Sequence, residues 1–140
     1  MNTIHNIQII SLQSPDAELS VLEINKISLR EMKRVFIVKP EMGSKRGEHA
    51  HKTLTQLLIC VNGVCEVICD DGKTKKTFHL TQANQALLIP PGIWAEQIYH
   101  EKDTTLLVAC DAEYDEADYI RDYDVFLRFR DDVRNEQVTK

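Results

Sequence analysis

The chain lacks any apolar run approaching the roughly 18 residues that a membrane-spanning helix requires, so no such helix is expected. Its first residues, MNTIHNIQIISLQS, lack both a cationic start and a long apolar stretch and do not read as a signal peptide. The cytoplasm is therefore the expected compartment. An excess of positive charge is missing too. Lys and Arg number 17 against 22 Asp and Glu, and the formal net charge is -5. Nucleic acid normally demands a basic face, so it is excluded as the expected partner, while a local basic spot still suffices for a small anion. Cysteine pairs at zinc-site spacing are absent, since Cys60, Cys65, Cys69 and Cys110 include no C-x2-C. Cys65 and Cys69 fall in one strand-like run, VCEVICDDG. Residues four apart on a strand share a face but lie roughly 13 Å apart, too far for a disulfide. Buried, reduced, structural thiols are the expectation. Repeats and low-complexity segments are also lacking, so residues 1–140 read as one domain.

What is present is a globular balance, 43% apolar and 28% charged, arranged as short β-like runs between turns. IHNIQIISL and ELSVLEI flank QSPDA, which reads as a breaker. KRVFIVKP ends at Pro40, and EMGSKRG reads as a loop. EHAH, TQLLICV, VCEVICD, KKTFHL, QALLIP, AEQIYH and TTLLVAC continue the series. Asn62-Gly63 and Asp71-Gly72 suit tight hairpin turns, whose φ angles are positive. Strands at this spacing predict an all-β sandwich or barrel. The tail DEADYIRDYDVFLRFR places Tyr119, Ile120, Tyr123, Phe126 and Leu127 in a helical stripe. Asp115 and Glu116 suit the positive end of a helix dipole. A short C-terminal helix closing the barrel is expected, with Tyr119 packed in the core instead of facing a pocket.

His49-Ala50-His51 is the first constellation with chemistry in it. Residues i and i+2 of a strand face one side, so both imidazoles project together. One histidine on an apolar face is more often a packed core residue. For a pair behind a Gly-containing loop, function and packing weigh about evenly.

The spacing around the pair resembles a cupin. Gly43, His49-x-His51, Gln56 and Gly63 follow the first cupin motif, with Gln56 where the family usually has Glu. Asn84, Pro90, Gly92 and Ala95 follow the second, with Asn84 for its first Gly and Ala95 for its metal-binding His. This resemblance implies a double-sheet jelly-roll barrel with the motif positions facing inward. A metallo-cupin uses three His and one Glu. Two neutral imidazoles and a weak amide oxygen make a poor site for a divalent ion, so neither metal nor other cofactor is expected. His79 and His100 lie outside the motifs. The imidazoles are then free for proton transfer.

A narrower resemblance runs from Arg34 to Phe126. RGEHAHK, VNGVCEV, PPGIW and DAEYDEADYIRDYDVF together resemble the nucleotide-sugar 3,4-ketoisomerases, metal-free cupins acting on dTDP-4-keto-6-deoxyglucose. The resemblance implies that His49 and His51 sit in the catalytic pocket and that Arg46 lies near the sugar nucleotide. It also implies a homodimer with exchanged N-terminal strands, serving deoxyamino-sugar biosynthesis for O-antigen or S-layer glycans. The chain departs from that family at Ala95, where His or Arg usually follows the tryptophan. It departs again at Phe36-Ile37, which lacks a tyrosine hydroxyl, and at Asp16-Ala17, where a polar or basic residue and Gly are usual.

In such a reaction a base removes the C3 proton, an enediol forms, and a proton returns at C4. His49 and His51 are expected to divide the base and donor roles, in either order, with His51 favoured as base because the imidazole of His49 can hold its tautomer. Gln56 is expected to donate to a sugar oxygen, and Arg46 to grip the diphosphate at the barrel mouth. Ala95 and Trp94 complete the expected substrate-binding set. Ala95 points inward. Trp94 points outward, towards a subunit interface or a nucleobase. Two rival classes remain. A metal-free 3,5-epimerase pairs its histidine with a carboxylate and a tyrosine, which the sequence does not identify. A non-catalytic sugar-binding cupin is favoured by Ala95.

Overall fold

The computed structural model describes residues 1–24 and 31–139. Its strands are, in chain order, β1 (Gln8–Ser11), β2 (Gln13–Asp16), β3 (Leu19–Val21), β4 (Arg34–Val38), β5 (Lys45–His51), β6 (Gln56–Asn62), β7 (Cys65–Asp70), β8 (Lys75–Leu80), β9 (Gln85–Ile89), β10 (Trp94–Tyr99), β11 (Thr105–Cys110) and β12 (Tyr119–Ile120), followed by α1 (Tyr123–Thr139). Two antiparallel five-stranded sheets, ordered β1-β9-β6-β11-β4 and β12-β5-β10-β7-β8, make the expected all-β barrel with a C-terminal helix.

Side-chain alternation shows how each strand is used. In the first sheet, Leu58, Cys60, Leu106 and Val108 point between the sheets and join the main core. Leu57, Ile59, Ala86, Leu88 and Ala109 point the other way, under Ile10, Leu12, Leu22 and Ile24 of the N-terminal segment. Strand β6 reads as nearly continuous apolar sequence because both its faces are covered. From the second sheet, Cys65, Val67, Cys69, Ala95 and Tyr99 close the core. All four cysteines are buried and unpaired, as expected, and burial pushes the Cys65 and Cys69 thiols up to about 12.

Three readings are corrected. QSPDA does not simply break the chain: its first four residues form β2, which pairs with β3 in a hairpin attached to neither large sheet. Lys45-Arg46-Gly47 is strand and not loop. Tyr119 and Ile120 are not helical; they add a short strand beside β5, with Tyr119 opposite His51 and Ile120 opposite Ala50. The helix starts later because Asp122 caps it, accepting from the Val125 amide at 3.0 Å. Helix α1 then covers the outer face of the second sheet, where Phe126 packs with Ala50, Trp94 and Ile120. Among the described residues no helix is long and apolar enough to cross a membrane.

Candidate active site

The site is built on β5 by a β-bulge. Arg46 lies opposite Gln97, and Gly47 opposite Glu96, but His49 lies opposite Ala95. Glu48 is the extra residue, with φ 55°, next to Gly47 at φ 85°. Ala95 and Gln97 share the inner face of β10, so Arg46 and His49 share it as well. On an unbroken strand, residues three apart would point to opposite faces. The bulge therefore turns Arg46 into the barrel beside the histidines. Glycine is required at position 47, since a Cβ there would lie 2.9 Å from both the Ala95 carbonyl oxygen and the Gln97 Oε1.

A cavity of about 510 Å³ opens over this strand. His49, Gln56 and Gln97 line it, together with Arg34, Arg46 and Arg121 and the rings of Phe36, Tyr114 and Tyr119. The His49 Nδ1 lies 2.9 Å from the Gly47 carbonyl oxygen. A carbonyl only accepts, so Nδ1 carries the proton and Nε2 keeps its lone pair. That second nitrogen has no hydrogen-bond partner among the described residues. Burial pushes the His49 pKa below its ordinary value, which keeps the ring neutral.

His51 is placed differently. It is 5% exposed. Its Nδ1 lies 3.1 Å from the Asp118 carboxylate and its Nε2 lies 3.2 Å from the Gln56 amide nitrogen. Both ring nitrogens are thus engaged, and the tautomer is held by Asp118 and not by His49 as the sequence reading had it. Burial, then the neighbouring His49, pull His51 down to about 4, against the opposing pull of Asp118. Burial alone would raise Asp118, yet hydrogen bonds from Thr53 and His51 hold it below the ordinary aspartate value. Thr53 supplies two of them, from its amide at 2.8 Å and its hydroxyl at 2.7 Å.

Tyr119, read as core packing, instead lines the cavity, with its ring 5.0 Å from His49 and 4.3 Å from His51. The Arg121 guanidinium sits 4.3 Å above that ring and is bound to Glu116 at 2.6 and 2.9 Å. Arg34 stacks over Phe36 and Tyr114, and its buried Nη1 has no partner. Neither Arg34 nor Arg46 has a carboxylate partner among the described residues.

Three of the six site residues expected from sequence line the cavity, His49, Gln56 and Arg46, and His51 lies behind them against His49 and Gln56. Ala95 faces inward opposite His49, but its methyl packs in the core and does not line the cavity. Trp94 faces outward as expected, but its own chain covers it. Tyr123 and Phe126 of α1 lie 5.3 and 5.7 Å from its ring, so Trp94 does not reach the cavity and borders only a small separate pocket beside Glu96 and Tyr123. His79 and His100 stand on the exterior beside Glu66. Among the described residues no group of three or more His, Cys, Asp and Glu is arranged to hold a metal ion. Sequence reasoning missed Asp118, Arg34, Gln97 and Arg121. Period-2 alternation would have pointed to Arg34 through Phe36 and Val38, and to Gln97 through the inward Ala95; nothing local marked Asp118 or Arg121.

The family described as FdtA: WxcM-like, C-terminal matches residues 2–131. The chain belongs to this family. Among curated relatives, a TDP-4-oxo-6-deoxy-alpha-D-glucose-3,4-oxoisomerase of Aneurinibacillus thermoaerophilus is 38% identical over 112 residues, covering 79% of this chain and 81% of that one. Among solved structures, a 3,4-ketoisomerase of Helicobacter canadensis is 34% identical with a TM-score of 0.83, covering 90% of this chain and 98% of that one. QdtA, a sugar 3,4-ketoisomerase of Thermoanaerobacterium thermosaccharolyticum solved in complex with TDP, is 29% identical with a TM-score of 0.86, covering 93% and 98%.

Proposed function

We propose that this chain is an isomerase that moves the carbonyl of a TDP-linked 4-keto-6-deoxy sugar from C4 to C3, with His49 as the base. The observation that carries the reading is the His49 tautomer. One nitrogen is committed to the Gly47 carbonyl, and the other is left as an unpartnered lone pair on the cavity wall. A base must reach its proton, so geometry favours His49 over His51, whose nitrogens are both occupied. His51 then acts as a fixed, neutral support behind the cavity lining, packed edge-on against His49 at 4.9 Å.

The remaining residues suit a sugar nucleotide. A cavity of about 510 Å³ holds a ligand of that size class. Arg34 and Arg46 offer two unmatched guanidiniums for a diphosphate. The faces of Tyr114 and Tyr119 offer flat surfaces for a sugar or base. The family's named activities supply the nucleotide and the sugar.

A homodimer with exchanged N-terminal strands is part of the proposal. Strand β1 pairs with β9 of its own chain. Among the described residues, however, the β2–β3 hairpin pairs with neither large sheet, and β4 is an edge strand with Ile37 65% exposed. Four reduced, buried thiols suit a reducing compartment, and the cytoplasm is the compartment proposed.

The His51–Asp118 pair beside Tyr119 gives the epimerase reading the carboxylate and tyrosine it lacked. Product analysis after incubation with TDP-4-keto-6-deoxyglucose separates the alternatives. The proposal expects a TDP-3-keto-6-deoxyhexose by NMR. Inversion at C5 with the carbonyl still at C4 would make this an epimerase, and tight binding with unchanged substrate would make it a sugar-binding module.

A further inference from the structure

We propose that Gln97 is the hydrogen-bond donor that stabilises the enediolate of this reaction, an assignment that rests on the ketoisomerase reading above. Gln97 lies on the inner face of β10 and is only 9% exposed. Its side chain lines the cavity. Unlike Gln56, whose amide is spent on His51, the Gln97 amide has no hydrogen-bond partner among the described residues. The amide reaches the open space of the cavity, so it is available to a group that visits the site.

Gly47 brings this amide to the base. The Gly47 carbonyl oxygen holds the His49 imidazole, and the bare α-carbon of the same residue is where the Gln97 amide rests. A Cβ at Gly47 would lie 2.9 Å from Oε1 and 3.1 Å from Cδ, with the amide nitrogen farther off. The carbonyl end of Gln97 therefore lies against β5, and its NH2 end is free to donate. Base and donor share one residue as their support, so they present a fixed geometry to a sugar ring.

The chemistry needs such a group. The His49 Nε2 takes the proton on C3. The C3–H electron pair becomes the C3=C4 double bond, and the C4=O π pair moves onto O4. The negative charge on O4 is met by the Gln97 N–H, a neutral donor already in place in a water-poor cavity. While held on Nε2 the proton exchanges with solvent, and His49 then delivers a proton to C4. The hydroxyl proton of O3 ends on O4, and C3 becomes the carbonyl carbon. No oxidant, reductant or further co-reactant enters.

The test compares wild type with Gln97→Leu and Gln97→Glu, measuring kcat on TDP-4-keto-6-deoxyglucose and calorimetric binding of TDP. Losing one donor to a developing oxyanion should lower kcat by about 10²–10³-fold, with TDP affinity held within threefold. Gln97→Glu should be slow at neutral pH, where a carboxylate repels the enediolate, and should speed up on acidification as the protonated carboxyl becomes a donor. A merely structural role would not produce that reversed pH profile. Wild-type kcat in Gln97→Leu, equal losses of kcat and TDP affinity, or a Gln97→Glu profile parallel to wild type would each overturn the assignment to Gln97 alone. A wild type that fails to turn over the sugar would overturn the ketoisomerase reading on which it rests.

Discussion

His49 and His51 stand two residues apart on one strand and face one side, yet their ring nitrogens meet different partners. Strand alternation made the pair visible in the sequence. It could not assign roles, because those depend on the Gly47 carbonyl beside one ring and the Asp118 carboxylate beside the other. His49→Asn should therefore lower kcat by about 10²–10⁴-fold while leaving TDP affinity within a few fold, since a general base acts mainly in the transition state. His51→Asn should lose clearly less. Steady-state kinetics of the two variants checks this, and a larger loss at His51 would restore it as the base. His51 titrates near 6.5 in the unfolded chain but near 4 when folded. Between those values the unfolded state binds more protons, so stability falls as pH drops through that window. The full loss, about 3 kcal/mol, is reached below the folded value. His49, also pushed down by burial, adds in the same direction. Urea midpoints at pH 7 and 4.5 should show this fall, and His51→Gln should flatten it. An equal fall in the variant would place the linkage elsewhere.

Strand β5 and its neighbours show which elements a sequence announces. The series of short runs and tight turns marked nearly every strand, and the apolar run of β6 reflected burial on both faces. The bulge at Gly47-Glu48 was not legible. A bulge is a mismatch between two strands, and only the pairing with β10 reveals it. Arg46 was assigned to the site by resemblance alone, whereas regular alternation would have sent it outward. Tyr119 and Ile120 fitted a helical stripe by spacing, but the cap at Asp122 starts the helix three residues after Ile120, at Tyr123, and frees Tyr119 to join β5. That shift also carries Asp118 to His51, which local sequence could not show. The bulge yields a direct prediction. Gly47→Ala places a side chain at φ 85° and against the Ala95 carbonyl. It should cost about 1–3 kcal/mol of stability and remove most activity, because Gln97 must shift and the strained backbone moves the carbonyl that orients His49. Thermal unfolding and kcat measured together check it. An active, fully stable Gly47→Ala would mean that the bulge does not position the site.

Among the described residues the two large sheets end in four edge strands, β1, β4, β12 and β8, and the β2–β3 hairpin joins neither sheet. Val35 and Ile37 stand exposed on β4. An edge of this kind invites a strand from a second copy. Light scattering at micromolar concentration should give about twice the 16.1 kDa chain mass. The chain mass itself, unchanged on raising the concentration tenfold, would refute the dimer. The central feature of the cavity is a neutral imidazole with one free nitrogen, facing the space where a sugar would sit. The most direct test is one NMR experiment in D2O, with TDP-4-keto-6-deoxyglucose incubated with wild type and with His49→Asn. The account predicts deuterium at C3 of the recovered substrate and at C4 of a 3-keto product with wild type, and neither label with His49→Asn. Deuterium at C5, or undiminished labelling by His49→Asn, would contradict it.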